Sequence, residues 1–211
     1  LDDPLSLRPD DTEGPRIISI EAIDVGAGHD LVDLTSQLYT YGNVSINGGK
    51  GHDILWANAG NDTLDGGTGK DTMAGGAGND TLLGGDGNDS YLFNRGDDID
   101  VITDISGSDA VYFGGGVNHG EFWFWRDGYD LLIGIRDTQD WLTINDWYLD
   151  PAKKVEVINS IDDNYTLLEN HVQQLVDAMA VFNVQGAGNL NVPQQDVDSV
   201  QSVIAAAWQA N

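Results

Sequence analysis

Cysteine is absent from the 211 residues, and basic residues are few: 9 lysines and arginines stand against 35 aspartates and glutamates, a formal net charge of −26. Without cysteine there is no disulfide framework and no thiolate metal site, so a small domain must be held together in another way. The excess of negative charge argues against nucleic acid or anionic membrane as partners and favours divalent cations. No apolar run approaches the length of a membrane span, and no N-terminal signal peptide stands out. Pro4, Pro9 and Pro15, three of only 5 prolines, fall in a polar opening stretch that reads as irregular. The chain opens on LDDPLSL without methionine and reads as a piece of a longer protein.

Glycine is the opposite case, with 27 residues, and it is periodic. Residues 48–92 read GGKGHDILW, ANAGNDTLD, GGTGKDTMA, GGAGNDTLL and GGDGNDSYL, five nonapeptides in unbroken register. A fixed internal period of this kind marks a repeat architecture. Aspartate takes the sixth position each time, as Asp53, Asp62, Asp71, Asp80 and Asp89. The eighth is apolar each time, as Leu55, Leu64, Met73, Leu82 and Tyr91. Glycine holds the fourth position (Gly51, Gly60, Gly69, Gly78, Gly87) and, in all but the second repeat, the first two (Gly48, Gly49, Gly66, Gly67, Gly75, Gly76, Gly84, Gly85). Flexible glycine-rich linkers do not keep aspartate and leucine in phase.

Each unit has room for about three extended residues, the eighth-position side chain pointing inward and its neighbours outward. The rest must turn sharply, which glycines at positive φ permit. One apolar residue per nine makes a thin core, and ordering the glycines costs much entropy, so something must stabilise the turns. Aspartates among clustered turn carbonyls suit a hard cation bound by about six to eight oxygens.

These repeats resemble the glycine- and aspartate-rich nonapeptides of the repeats-in-toxin (RTX) family. The resemblance implies a parallel β-roll, two nonapeptides to a turn, with calcium held between turns stacked on one side. It pairs loops eighteen residues apart: Asp53 with Asp71, Asp71 with Asp89, and Asp62 with Asp80, together with carbonyls of the glycine loops. The expected fold class is an all-β core, a parallel β-roll capped by a small aromatic-rich β unit, with C-terminal helices.

Residues 17–25, IISIEAIDV, alternate and read as a strand. VGAGHDLVD follows with Gly26, Gly28, Asp30 and Val32 in the repeat's slots, Asp30 being a candidate ligand. Leu34 to Leu38 break the register, and YTYGNVSIN resumes it with Gly42 and Ile46 but Val44 in the aspartate slot. After Leu92, FNRGDDIDV puts Gly96 and Asp98 at the fourth and sixth positions, so that Asp98 would complete a site with Asp80, about four calcium sites in all. Asp100 occupies the eighth slot, and the repeat is expected to end there.

Ten of the eighteen aromatics lie between Tyr112 and Tyr148, among short apolar segments separated by turns. An open roll has unpaired edges, so residues 101–165 read as its cap. The rival reading is a surface- or glycan-binding platform, because Trp123 and Trp125 would share a strand face. Thr166 and Glu169 have capping-box spacing. Leu168, Val172, Leu175, Met179 and Phe182 then make one helical stripe, and Val197, Val200, Ile204 and Trp208 a second. From Val155 to Asn211 there is no Lys or Arg, and this tail resembles the uncleaved signal read by type I exporters. The expected organisation is 1–24 as the end of an upstream region, 25–100 as the roll, 101–165 as the cap and 166–211 as the helical signal region.

Other motifs dissolve into the repeat. Arg95-Gly96-Asp97 spells an adhesion tripeptide inside the last coil, and GGTGKDT lacks the Ser or Thr that a phosphate loop needs after its lysine. The NDT and NDS acceptors at residues 61, 79 and 88 are generated by the period. His29, His52, His119 and His171 lack metal-ligand spacing. No zinc-protease or nucleophile-elbow motif occurs, and the expectation is no catalysis. The expected function is a calcium-binding module that folds on meeting extracellular calcium and supports type I export of a larger passenger, secreted or held at the cell surface. The alternative is a ligand-binding module of an adhesin.

Overall fold

A three-residue strand with one inward side chain gains little alone, but stacked copies pair every backbone group with a neighbour above and below. The computed structural model describes residues 20–36, 41–182 and 190–211, and the chain passes back and forth between two sheets. One takes Ala22–Asp24, Ser45–Asn47, Thr63–Gly69, Thr81–Asp86, Ile99–Thr103 and Trp141–Ile144, all parallel. The other takes Leu31–Asp33, Ile54–Trp56, Thr72–Ala74, Ser90–Asn94, Ala110–Gly114 and Val157–Ser160, again all parallel. This is a parallel β-roll. Of the expected first strand only Ala22–Asp24 lies within the described residues. The irregular opening stretch, part of the insertion after Leu34 and the loop after Phe182 lie largely outside them.

The eighth-position residues make the two inner files. Ile46, Leu64, Leu82, Ile102 and Ile144 stack in one sheet, and Val32, Leu55, Met73, Tyr91, Val111 and Ile158 in the other. All are buried. Each buried side chain of this size contributes roughly 2 kcal/mol.

The roll does not end at residue 100. Ile99–Thr103 and Ala110–Gly114 form a further coil in parallel register, and Trp141–Ile144 and Val157–Ser160 add one strand more to each sheet. The extra coils escape the nine-residue period because their turns are longer, so that strand Val101 pairs with Thr81 and Ala110 with Ser90, twenty residues back. The ladders close only when strands run antiparallel: the hairpin Phe122–Asp127 and Asp130–Ile135 on Trp141–Ile144, and Tyr165–Leu168 with Gln209–Ala210 on Val157–Ser160. A reversed strand gives a following coil no parallel edge to extend.

Two helices complete the end unit, α1 (Glu169–Met179) and α2 (Gln194–Ala207). α1 lays Val172, Leu175 and Met179 onto the outer face of Phe122–Asp127, and α2 buries Val197, Val200 and Ile204. The capping box does not form: Thr166 lies in a strand, its hydroxyl bonded to Asn159, and Leu168 holds the N-cap position. Strand pairing with Asn159 has outcompeted the local cap. Trp123 is also not a surface residue. It is 1 % exposed, with Phe182 edge-on at 5.8 Å, because the helix covers the strand face that a platform would need. On the other face Phe122 meets Phe113 at 4.6 Å and Trp208 at 5.3 Å.

Candidate metal centres

Glycine at the fourth position lets one turn sit directly on the next. A Cβ at Gly69 would lie 1.4 Å from the carbonyl oxygen of Gly51, and at Gly51 the same distance from that of Gly28, so any side chain would force the turns apart. Both residues have positive φ as well. On the opposite edge Gly78 sits in the same way on the carbonyl of Gly60 and Gly60 on that of Gly42, and on the edge of Gly51 the second-position Gly85, Gly67 and Gly49 sit on the carbonyls of Gly67, Gly49 and Gly26.

Each edge of the roll carries a column of aspartates. On one, the Oδ1 of Asp53 accepts the N–H of Asp30, Asp71 that of Asp53, Asp89 that of Asp71 and Asp109 that of Asp89, at 2.7–2.8 Å. On the other, Asp62 accepts from Val44, Asp80 from Asp62 and Asp100 from Asp80, again at 2.7–2.8 Å. The eighteen-residue stacking expected for the repeats is what joins them. From Asp53 on one edge and Asp62 on the other, one oxygen of each carboxylate is therefore used by the turn before it.

The second oxygen has no partner. The Oδ2 atoms of Asp30, Asp53, Asp62, Asp71, Asp80, Asp89, Asp100 and Asp109 are all buried without a hydrogen bond. Those of Asp53, Asp71, Asp80 and Asp89 face the first-position glycines: a Cβ at Gly48 would lie 2.8 Å from Asp53 Oδ2 and 2.9 Å from the Gly66 carbonyl, and Gly66 repeats the arrangement with Asp71 and Gly84. Gly75 stands in the same relation to Asp80. Buried anionic oxygens beside turn carbonyls, in a space only glycine leaves open, are a donor set suited to calcium. In its absence, burial pushes Asp80 up to about 7, Asp89 to about 6, Asp109 to about 7 and Asp100 to about 9, against backbone N–H bonds that pull down and neighbouring carboxylates that push up. Burial raises Asp62 and Asp71 too.

Fifth-position residues form an outer ladder. Asn61 N–H donates to Asn43 Oδ1, Asn79 to Asn61, Lys70 to His52 Nδ1 and His52 to His29 Nδ1. His and Asn are interchangeable here because both offer an acceptor.

Two expected ligands sit elsewhere. Asp98 is exposed with φ +66°, and its N–H, like that of Gly96, points to Asp140 at the start of the closing strand. Asp100 takes the place in the column, because the turn before it is two residues longer than the repeat's. Its position in the apolar eighth slot was the signal. Asp104, Asp109 and Glu156, which accepts the Asp109 N–H at 2.7 Å, were not singled out in the sequence. The run DISGSD at 104–109 does echo the turn pattern, with Asp104 in place of the first glycine.

A family model described as the RTX calcium-binding nonapeptide repeat (4 copies) matches residues 40–64 and 65–100. Residues 40–100 are an RTX repeat region, and such repeats imply calcium binding. The chain is also similar to the solution structure of the AlgE6R3 subunit from the Azotobacter vinelandii mannuronan C5-epimerase, at 25% identity, covering 86% of this chain and 91% of that chain, with a TM-score of 0.26.

Proposed function

We propose that the chain is a non-catalytic module whose roll is completed by calcium outside the cell and which supports type I export of a larger protein. The observation that carries this is the row of buried Oδ2 atoms without partners. A buried charge needs a counter-ion or a proton, and at neutral pH calcium is the better answer for acceptors of this geometry. The ions would lie between Asp53 and Asp71, Asp71 and Asp89, Asp62 and Asp80, and Asp80 and Asp100, together with carbonyls of the glycine turns, including those at Gly48, Gly66, Gly75 and Gly84.

Oxygen sites of extracellular type bind at about 10⁻⁴ to 10⁻³ M. With calcium at ten times that constant, each site adds roughly 1.4 kcal/mol, and four add about 5 to 6 kcal/mol, comparable to a small domain's whole stability. Where free calcium is scarce, a chain of charge −26 stays expanded and can be threaded through an exporter. The helical tail, without Lys or Arg from Val155 onward, is the segment an exporter would read. The test is circular dichroism of the chelator-stripped chain titrated with calcium, with magnesium as control. A fully formed roll in chelator would overturn the reading.

A second reading has its own observation. Trp147, Tyr148, Pro151, Lys154, Glu169 and Gln173 line a cavity of about 240 Å³, with Arg126 stacked over Tyr148 at 4.2 Å. Aromatic faces beside cationic groups suit a ligand such as a glycan, and a glycan-array screen with Tyr148→Ala and Arg126→Ala variants would show whether this face binds one.

A further inference from the structure

We propose that Asp89, Asp104 and Asp109, with the Tyr91 hydroxyl beside them, form a cation site of different composition where the last long turns meet the end unit. The proposal rests on the calcium reading of the aspartate column and adds a ligand from outside the nonapeptide pattern. Asp104 stands where Gly48, Gly66 and Gly84 stand in the turns below, as the pairing of Thr103 with Leu83 requires. Its side chain turns back toward the preceding loop: a Cβ on Gly84 would be 2.9 Å from Asp104 Oδ2 and 2.7 Å from Asp89 Oδ2, and would overlap the Tyr91 hydroxyl.

One oxygen from each of the three carboxylates lies within 4.8 Å of the others, and all three residues are at most 1 % exposed. Asp89 Oδ1 and Asp109 Oδ1 accept backbone N–H groups, which leaves both Oδ2 atoms buried and unpartnered. Asp104 accepts the Ile105 N–H at 2.6 Å through Oδ1 and the Tyr91 hydroxyl at 2.6 Å through Oδ2. The ion pairs seen for Arg95, Lys153 and Lys154 go to Glu121, Asp146 and Glu169, not to this cluster. Three buried carboxylates that none of these ion pairs reaches call for a hard, multiply charged cation.

The other turns offer two carboxylates and glycine carbonyls; this one offers three. Ligand charge count tunes affinity, so this site should bind calcium most tightly and should favour a trivalent lanthanide. It would also tie the roll's last coil to the end unit, since Asp109 in turn donates to Glu156.

The test uses the full chain, stripped with chelator. Terbium is added while emission is excited through tyrosine, and bound calcium per chain is counted by equilibrium dialysis. The expected result is that Asp104→Asn, which leaves the two carboxylates of an ordinary turn, weakens the tightest calcium site and the tyrosine-excited terbium midpoint by roughly tenfold or more, while Tyr91→Phe keeps the calcium count but loses most of that emission. Unchanged calcium affinity and terbium midpoint in Asp104→Asn would overturn the proposal while leaving the column's calcium reading intact. No calcium bound by the unaltered chain would overturn that reading instead. If Asp104→Asn does not fold, Tyr91→Phe decides: undiminished emission places terbium away from Tyr91 and overturns the site.

Discussion

Residues 48–92 and residues 101–211 bury opposite things. Each nonapeptide buries one eighth-position apolar side chain and one aspartate whose second oxygen has no partner. The end unit buries Phe113, Phe122, Trp123, Phe124, Trp141 and Trp147, large surfaces that exclude water without help. A regular ladder of strands can thus carry little apolar core of its own. The repeats have the backbone pairing of a sheet but fill their turns with charge, and on the reading proposed above their stability comes from a bound ion. The end unit has irregular turns and a core of its own.

The largest break in this comparison should come from deleting residues 101–211. The repeats then lose the strands Ala110–Gly114, Trp141–Ile144 and Val157–Ser160, on which the last coils rest. Nearest-neighbour arrays need such an end surface, so the truncated chain should stay coil-like in millimolar calcium by circular dichroism. Equal calcium-driven β structure in both chains would show that the roll closes unaided.

Phe113→Ala should cost about 3–5 kcal/mol in denaturant melts, and to a similar extent with calcium or chelator, because it removes core that no ion replaces. Gly69→Ala should act the other way. Its Cβ would fall 1.4 Å from the Gly51 carbonyl oxygen, so calcium-driven folding should be lost while the tryptophan emission of the end unit persists. Asp71→Asn should raise the calcium midpoint more than Asp30→Asn, since Asp71 is bridged by turns on both sides and Asp30 begins its column.

The smallest effect is that of pH. Burial holds Asp80, Asp89, Asp109 and Asp100 at about 7, 6, 7 and 9 without calcium. An unfolded aspartate titrates at about 3.9. Groups raised in this sense stabilise the fold below their unfolded value, and the gain is lost as pH rises through the folded values. Acidifying from about pH 8 to about pH 5 in chelator should therefore favour the folded roll, read as a gain of β structure by circular dichroism, whereas in calcium it should weaken ion binding and lower Tm.

The same contrast governs what could be read before the structure. The file of Leu55, Leu64, Met73, Leu82 and Tyr91, and the aspartates between them, follow from a local period, because each strand pairs with the one eighteen residues away. Once turns lengthen, the period carries no information: Asp98 looks right by count, yet Asp100 bonds to Asp80. Asp104 and Asp109 are marked in the sequence by the run DISGSD alone, and its place in the column follows from the pairing of Thr103 with Leu83. Trp123 reads as exposed on an isolated strand and is covered by a helix that begins only at Glu169. Thr166 has cap spacing but sits opposite Asn159 in a sheet. Long-range packing decided each of these, and no local spacing records it.

The central claim is that calcium orders the repeats while the end unit is held by its own core. Hydrogen exchange of the full chain in chelator and then in calcium, followed on peptides from residues 48–92 and 122–182, tests it directly. The account predicts that the repeat peptides exchange freely in chelator and become protected in calcium, whereas the end-unit peptides are protected in both. Equal protection of the two regions in chelator would contradict it.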